Sequence, residues 1–452
     1  MIQKQNIIGA VDVGTTKIVA IIAQKDEHGE IKILGFGREK SVGIQKGDVL
    51  NVTETVRSIS NAFRKAEEEA GVSVKEVYVG MAGHHIRSKE HQGNLIRENE
   101  DVPISKEDVE LLMRNIKNLS YDIGYEVIHV IPKSFTVNHV TGVNNPIGCV
   151  GKKLEASFHV VIGEMAPIRL LRRCVEDAGY KVKKIFLEPL ASGEAVLLPE
   201  EKEMGVAVVD IGGGTTDLAV YYEGSIQHTA VIPFGGNIIT EDLKKTLQLL
   251  ERDAEKIKVN FGNAIVDDPM NARSVVAIKG YAGYPEREID FRTIADIIQA
   301  RMSEILEMVI SEIKRAQVSH MLTSGIVVTG GGALLKNLPQ LVAYHSGKLT
   351  RIGYPRVTFI SDNYSELNNP CYSTILGLVL LGFEDMAEED ININEVSDKK
   401  EQEQMQESEN SKHEDPKTEE IYGKPKGTRF KIFENLTKSI FELKATNMNE
   451  EG

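Results

Sequence analysis

The chain of 452 residues has no tryptophan, few aromatic residues and only three cysteines. Cys149, Cys174 and Cys371 are far apart and odd in number, and their spacing is neither that of metal ligands nor that of a disulfide framework. We therefore expect buried, reduced thiols in a reducing compartment. The histidines form no recognisable metal pattern with cysteines or carboxylates, and we expect the pair His84 and His85 to belong to a loop.

Long apolar runs and an excess of positive charge are also missing. No eighteen consecutive residues are apolar, so the sequence predicts no helix that spans a bilayer. The first residues lack the charged region and the apolar region of a secretory signal. The formal net charge of -14 argues against non-specific binding of nucleic acid, and we expect no nucleic-acid partner.

The apolar content of 41% is enough to build a large interior, and the length suits two or more domains. Between Ile7 and about Phe383, apolar strands alternate with amphipathic helices, which is typical of an α/β protein. The clearest helix is predicted from about Arg292 to Gln317, where isoleucine and valine recur at helical spacing.

The composition changes sharply near Glu384. Between Glu384 and Glu420 the chain has fifteen acidic residues, four lysines, no aromatic residue and few apolar ones. Such a segment cannot bury enough apolar surface to offset its conformational entropy. We therefore predict a disordered acidic linker over residues 384–423.

A basic and apolar segment follows this linker. Six basic residues and two glutamates lie between Lys424 and Lys444. On a helical projection the large apolar side chains share one half of the circumference; they are Phe430, Ile432, Phe433, Leu436, Ile440, Phe441 and Leu443. We predict a membrane-targeting amphipathic helix within residues 424–452, because the tether favours a lipid surface over a helix that docks on the protein or on a partner.

Two stretches share the order strand, aspartate, glycine-rich turn, two threonines, strand. The first is Ile7–Val13 followed by Gly14–Lys17, and the second is Gly205–Ile211 followed by Gly212–Asp217. Glycines let backbone N–H groups surround phosphate oxygens, threonines add donors, and an aspartate beside the phosphates can hold Mg²⁺ through water. A tight hairpin without a ligand is the alternative for either copy alone. Two copies about 200 residues apart predict a duplicated fold with one nucleotide between its halves.

A third glycine-rich stretch, Gly325–Leu335, has the pattern of a strand that enters a glycine turn and then a helix. Glycine backbone at the carboxyl end of a strand can lie against a nucleobase or a ribose, which is the usual ligand position in open α/β sheets.

These three stretches resemble the phosphate-1, phosphate-2 and adenosine motifs of the actin, Hsp70 and sugar-kinase superfamily, and Glu188–Ser192 resembles its first connecting helix. Over residues 5–383 the chain resembles, within that superfamily, the FtsA family of bacterial actin-like cell-division proteins. The stretches that carry this resemblance are Val77–His84, Asn145–Gly148, Cys174–Tyr180, Pro233–Gly236 and Ala254–Lys258. The resemblance implies an actin-like, ribonuclease H-like fold of two duplicated domains with an inserted small α/β subdomain.

The resemblance also implies domain boundaries. The expected order is subdomain IA over 1–83, inserted subdomain IC over 84–162, IA again over 163–204, IIA over 205–235, IIB over 236–300, IIA with a return to IA over 301–383, the linker over 384–423 and the amphipathic helix over 424–452.

In the site that the resemblance implies, Asp12 and Asp210 hold Mg²⁺ through water, and Lys17 contacts phosphate. The phosphate cradle consists of Gly14, Thr15, Thr16, Gly212, Gly213, Gly214 and Thr215.

Gly331 and Gly332 line the implied adenosine pocket, which Glu255 and Lys258 reach from subdomain IIB. Glu188 lies where relatives keep a residue that positions water for hydrolysis. An acid favoured by the dipole of a helix N-terminus is an equally good interpretation of Glu188.

The function implied by the resemblance is a cell-division protein that binds ATP with Mg²⁺, hydrolyses it weakly and assembles actin-like polymers. It would anchor the FtsZ ring to the cytoplasmic face of the inner membrane at the septum, as a peripheral membrane protein, and recruit later division proteins. The C-terminal peptide of FtsZ would dock on IIB, where Arg287 and Arg292 are basic candidates or simply solvated charges. The alternatives are a PilM-like pilus-assembly homologue and a small-molecule kinase, although no motif indicates an acceptor site.

Overall fold

The computed structural model describes residues 6–269, 274–278, 285–356 and 362–389. The predicted amphipathic helix and residues 390–423 of the predicted linker lie outside the described residues. None of the helices in the described ranges has both the length and the apolarity to cross a membrane.

The first sheet has five strands, which are β1 (Ile7–Val13), β2 (Lys17–Lys25), β3 (Ile31–Lys40), β6 (Glu76–Met81) and β11 (Lys181–Leu187). Their order is β3-β2-β1-β6-β11, with an antiparallel meander over the first three and parallel pairing of β1, β6 and β11. Strands β1 and β2 are almost wholly buried, which agrees with their continuous apolar sequences. A two-stranded hairpin, β4 (Ile44–Gln45) and β5 (Asp48–Val49), follows β3.

The second sheet repeats this arrangement. Its strands are β12 (Val206–Ile211), β13 (Thr216–Tyr222), β14 (Ser225–Ile232), β17 (Ile326–Thr329) and β18 (Thr350–Ile352), in the order β14-β13-β12-β17-β18. The pairing is again antiparallel over the first three strands and parallel from β12 through β17 to β18. The two halves therefore have one topology, and the predicted duplication is present.

Ten helices surround or join the sheets in the described ranges. They are α1 (Val52–Ala70), α2 (Lys106–Lys117), α3 (Met165–Asp177), α4 (Glu188–Val196), α5 (Pro199–Met204), α6 (Gly236–Leu247), α7 (Glu251–Phe261), α8 (Phe291–Arg315), α9 (Leu338–Ser346) and α10 (373–389). Helix α8 agrees with the predicted helix to within two residues at either end. The short strands β15 (Val275–Ile278) and β16 (Arg287–Asp290) pair with each other before α8.

The inserted subdomain leaves the first sheet after β6 and returns just before α3. It contains β7 (Ile86–Ile96), α2, β8 (Tyr125–Val137), β9 (Val140–Val143) and β10 (Lys153–Glu164), with an antiparallel sheet in the order β7-β10-β8-β9. Helix α2 begins with a capping box between Ser105 and Asp108. Leu112 and Ile116 of this helix pack on Phe158 in a core of the subdomain's own.

Helices α4 and α10 lie between the two sheets. Ala191 of α4 and Leu376 of α10 share one core cluster with Ile21 of the first sheet and Val208 of the second. The helices approach very closely, since a Cβ added at Gly377 would lie 1.7 Å from the Ala191 carbonyl oxygen. This pair of helices therefore joins the halves of the molecule next to both glycine turns.

Helix α10 continues through residue 389, beyond the predicted start of the linker at Glu384. Asp385 accepts a hydrogen bond from Tyr78 Oη and forms an ion pair with Lys184, and Glu389 pairs with Lys183. The composition places Asp385 and Glu389 in the linker, but ion pairs with lysines bind them to the first sheet.

Candidate functional site

Both phosphate turns and the adenosine turn line one cavity of about 620 Å³ between the two halves. This volume is ordinary for a small-molecule site. The cavity is lined by all fifteen predicted site residues of the two domains: Asp12, Gly14, Thr15, Thr16, Lys17, Glu188, Asp210, Gly212, Gly213, Gly214, Thr215, Glu255, Lys258, Gly331 and Gly332. The predicted membrane-binding residues, Phe430 to Leu443, lie outside the described residues.

The two phosphate turns touch each other. A Cβ added at Gly213 would lie 1.9 Å from Thr16 Oγ1, and one added at Gly214 would lie 2.3 Å from Thr15 Oγ1. A side chain at either glycine would therefore require the facing threonine to change rotamer or the two turns to separate. The backbone of both turns faces the shared cavity, as a phosphate cradle requires.

Four carboxylates gather below these turns: Asp12 at the end of β1, Asp210 in β12, Asp217 in β13 and Glu188 at the start of α4. Burial raises the pKa of Asp12 to about 6, assisted by Asp210 and opposed by Lys17. Burial is also the main cause of a raised pKa of Asp210, where hydrogen bonds from two hydroxyls oppose it.

The other two carboxyls are more strongly perturbed. Burial raises the pKa of Glu188 well above its ordinary value, and the neighbouring Asp12, Asp217 and Asp210 raise it further. Burial and the charge of Asp210 likewise raise the pKa of Asp217 well above its usual range. Burial is the largest cause of all four pKa shifts, and neighbouring carboxylates add to three of them.

A hard divalent cation fits this cluster. Asp217 Oδ1 is buried and has no hydrogen-bond donor among the residues that the structure describes. Magnesium prefers carboxylate and water oxygens, so Asp12, Asp210 and Asp217 are the residues that would hold it, with bound water between. Asp217 is a residue that the sequence interpretation missed, although it is the last residue of the second glycine-rich stretch.

The predicted phosphate-contacting lysine is held by residues that lie just before α10. Lys17 Nζ donates a hydrogen bond to the Cys371 carbonyl oxygen over 2.7 Å and lies 5.4 Å from the centre of the Tyr372 ring. The ammonium group is thus fixed at the cavity wall.

Helices α6 and α7 bring Lys258 to the opposite wall. Lys258 Nζ donates to the Gly236 carbonyl oxygen and to Thr240 Oγ1, and it pairs with Glu255 over 2.7 Å. Because Thr240 also donates to Glu255, the three side chains form one connected polar group.

Asp48, His84 and His85 form a second cluster outside the cavity, with the histidines in the loop between β6 and β7. His85 Nδ1 lies 3.0 Å from Asp48 Oδ1, and His84 Nδ1 lies 3.1 Å from Asp48 Oδ2. A histidine that ligates a metal normally donates its second ring N–H to an acceptor. His85 Nε2 is buried without a partner in the described part of the chain, so the arrangement fits hydrogen bonding of a loop better than a metal site.

Comparisons with known proteins agree with this geometry. A family model described as Cell division protein FtsA matches residues 207–377, and one described as an SHS2 domain inserted in FtsA matches residues 83–162. The Cell division protein FtsA of Neisseria meningitidis is 34% identical over 381 residues, which are 84% of this chain and 91% of that protein. The protein of the same name from Escherichia coli K12 is 33% identical over 388 residues, with 84% and 91% covered.

This chain belongs to the FtsA family of cell-division proteins. The match to the SHS2 domain differs by one residue from the inserted subdomain expected at 84–162. The predicted membership of the FtsA family is therefore confirmed.

Solved structures confirm the actin-like fold expected of an FtsA protein. A PilM–PilN type IV pilus biogenesis complex aligns with a TM-score of 0.61 at 16% identity, over 83% of this chain and 98% of that one. MreB5 of Spiroplasma citri bound to ADP aligns with a TM-score of 0.52 at 15% identity, over 86% and 98%. At such identities the likeness shows the fold alone.

Proposed function

We propose that this FtsA-family protein binds ATP with Mg²⁺ in the cavity between its halves and assembles actin-like polymers. In this proposal it anchors the FtsZ ring to the cytoplasmic face of the inner membrane at the septum and recruits later division proteins. The observation that carries the proposal is the contact of the two phosphate turns, Gly213 on Thr16 and Gly214 on Thr15, across one cavity.

Different residues of the cavity would bind different parts of the nucleotide. Backbone N–H groups of the two turns and the hydroxyls of Thr15 and Thr16 donate to phosphate oxygens, and Lys17 adds a positive charge. Gly331 and Gly332 leave a flat surface for the base or ribose opposite Lys258. A bound Mg²⁺ would neutralise the carboxylate cluster and the phosphate charge.

Glu188 is the one predicted water-positioning residue of the cavity. Burial and three neighbouring carboxylates raise the pKa of this carboxyl. Phosphoryl transfer to water needs a placed nucleophile as well as a phosphate cradle, and no second predicted residue positions one. We therefore propose that ATP serves mainly as a signal for assembly and that the turnover is weak.

The amphipathic helix within 424–452 provides the proposed membrane attachment. Fully burying a large apolar side chain contributes ~1.5–3 kcal/mol, but a surface helix buries each only in part, and ordering the helix opposes the gain. One anchor should therefore bind weakly and reversibly. Several anchors on one polymer would bind far more strongly through effective concentration.

The proposed FtsZ surface is subdomain IIB, where the C-terminal peptide of FtsZ would dock over residues 236–300. Arg292 is largely exposed and pairs with Asp267, whereas Arg287 donates to the Leu247 carbonyl oxygen. Both arginines are exposed, so both remain basic candidates for this surface. Pull-down of purified FtsZ, with pilus-assembly proteins as the comparison, separates this proposal from a PilM-like role.

Calorimetric titration of the full chain with ATP tests the nucleotide site. We expect one ATP per chain and a higher affinity for ATP when Mg²⁺ is present. Asp12→Asn should remove this gain in affinity, and the surface change Glu68→Gln should keep it. Binding of several ATP molecules per chain, or binding indifferent to Asp12→Asn, would refute the proposed site. A small-molecule kinase would instead show fast ATP turnover that depends on an added acceptor.

A further inference from the structure

The carboxylate of Asp210 is held by two hydroxyl groups from different helices. Ser192 Oγ of α4 donates to Asp210 Oδ2 over 2.5 Å, and Thr374 Oγ1 of α10 donates to the same oxygen over 3.1 Å. The two hydroxyls are themselves 3.1 Å apart. All three side chains are more than nine-tenths buried, so these hydrogen bonds form away from bulk water.

Helix geometry alone does not require the hydroxyls of Ser192 and Thr374 to point at Asp210. Serine and threonine within helices commonly bond a carbonyl oxygen of the preceding turn or face solvent. Ser192 and Thr374 instead bond a carboxylate on a strand of the other half of the fold. Ser192 also lies four residues after Glu188, so the two side chains share one face of α4, and Glu188 lines the cavity.

The second oxygen of Asp210 is confined from the other side. A Cβ added at Gly330 would lie 2.2 Å from Asp210 Oδ1, and the φ of Gly330 is 81°. Next to it, Thr329 Oγ1 is 2.7 Å from Ser373 Oγ, which ties α10 to β17. The carboxylate therefore has hydroxyls against one oxygen and glycine backbone against the other, and it has little freedom to rotate.

From this geometry we infer that Ser192 and Thr374 are positioning residues, which orient Asp210 toward a divalent cation and join the cation site to both crossing helices. The inference rests on the proposed function, because it needs a nucleotide bound with Mg²⁺. In this inference the hydroxyls act through the carboxylate rather than directly on the nucleotide or the cation. Charged acceptors make the stronger hydrogen bonds, so loss of either donor leaves Asp210 less ordered and less able to hold the ion's water shell.

The same contacts link the site to the tail. Helix α10 begins at residue 373, donates to Asp210 through Thr374, contacts α4 at Gly377 and ends where Asp385 and Glu389 bind the first sheet. The residues that follow α10 lead to the predicted membrane segment. One helix thus joins the cation-binding carboxylate to the start of the tether.

The test is the affinity of the full chain for ATP, measured by calorimetry with saturating Mg²⁺ and again with EDTA. For Ser192→Ala and Thr374→Val we expect the gain in affinity from Mg²⁺ to fall about tenfold, with affinity in EDTA changed less than about twofold. Thr374→Ser keeps the hydroxyl and should restore the gain. Thr55→Val removes a buried hydroxyl on α1 that donates to the Asn51 carbonyl oxygen and does not line the cavity, and it should leave both affinities unchanged.

The outcomes separate the inference from the proposed function. If both variants keep the wild-type gain in ATP affinity from Mg²⁺, the inference alone is overturned. The inference is also overturned if the variants lose affinity equally with and without Mg²⁺, since that pattern indicates a merely structural role. A wild-type chain that binds no ATP overturns the proposed function and the inference together. Thr374→Val nearly preserves side-chain volume, so it provides the measurement even if Ser192→Ala does not fold.

Discussion

Gly213 lies where the second phosphate turn meets Thr16 of the first. Replacement by valine would place side-chain atoms in the space that Thr16 Oγ1 occupies, and the turns would have to separate. We predict that Gly213→Val lowers the affinity for ATP by at least about tenfold, a loss of about 1.4 kcal/mol, with the fold retained. Calorimetric titration with circular dichroism measures both properties.

A control that also introduces valine is available at the surface. Ala387→Val on the exposed side of α10 should leave ATP affinity unchanged. Unaltered ATP affinity in Gly213→Val would mean that the two turns do not grip the same ligand.

Glu188 offers a second test at the residue scale. We predict that Glu188→Ala lowers an already slow ATP turnover by about tenfold or more, because general acid–base and orienting groups commonly contribute at least that much, while ATP affinity changes little. Steady-state phosphate release gives the rate, and Glu194→Ala on the same helix is the control. Fast wild-type hydrolysis that Glu188→Ala abolishes would contradict the view that ATP is mainly an assembly signal.

At the scale of elements, the crossing of α4 and α10 depends on Gly377. A Cβ at this position would meet the Ala191 carbonyl oxygen at 1.7 Å, so Gly377→Ala must push the helices apart. We expect the free energy of unfolding to fall by about 1–3 kcal/mol or more, as for other overpacked cores. Denaturant unfolding checks this, with the exposed change Glu388→Ala expected to stay within about 0.5 kcal/mol. A Gly377→Ala protein as stable as wild type would show that the helices are not in close contact.

The sheet of the inserted subdomain contains two histidines that stay neutral when folded. Burial lowers the pKa of His159 to about 3, with smaller contributions from His228, Lys133 and His129. Burial and nearby lysines lower the pKa of His129 to about 4, and its Nε2 accepts a hydrogen bond from the Leu187 amide. Between an ordinary pKa of 6.5 and these values the unfolded chain binds more protons, so stability falls as the pH falls.

We predict that His159→Gln weakens this pH dependence, by up to about 1.4 kcal/mol per pH unit. The free energy of unfolding by denaturant at pH 7 and at pH 5 gives the difference. His139→Gln changes an exposed histidine of the same subdomain and should retain the wild-type difference. A His159→Gln protein that loses as much stability as wild type would indicate that His159 is not held neutral.

The strands and the phosphate turns were predictable because the residues that specify each of them are close together in the sequence. Strand, aspartate, glycine turn and threonines lie within about a dozen residues in each copy, and the buried strands have continuous apolar sequences. The hydroxyls of Ser192 and Thr374 were not predictable, because they reach Asp210 across 18 and 164 residues. The end of α10 was missed for a related reason, since Lys183 and Lys184 hold acidic residues about 200 positions away.

On the scale of the whole molecule, the proposed function combines one nucleotide bound between the two halves with a tethered amphipathic helix at the membrane surface. In the proposed function, nucleotide binding favours assembly, and assembly multiplies weak membrane anchors. Membership of the FtsA family and the two equivalent sheets support this combination. The polymer and the membrane should therefore strengthen each other's binding.

Sedimentation with anionic lipid vesicles tests this claim most directly, with the full chain and a chain lacking residues 424–452, each with and without ATP and Mg²⁺. The account predicts that ATP increases the vesicle-bound fraction of the full chain, and that the shortened chain stays unbound although it still binds one ATP. Equal sedimentation of the two chains, or a full chain whose membrane binding is indifferent to ATP, would contradict it.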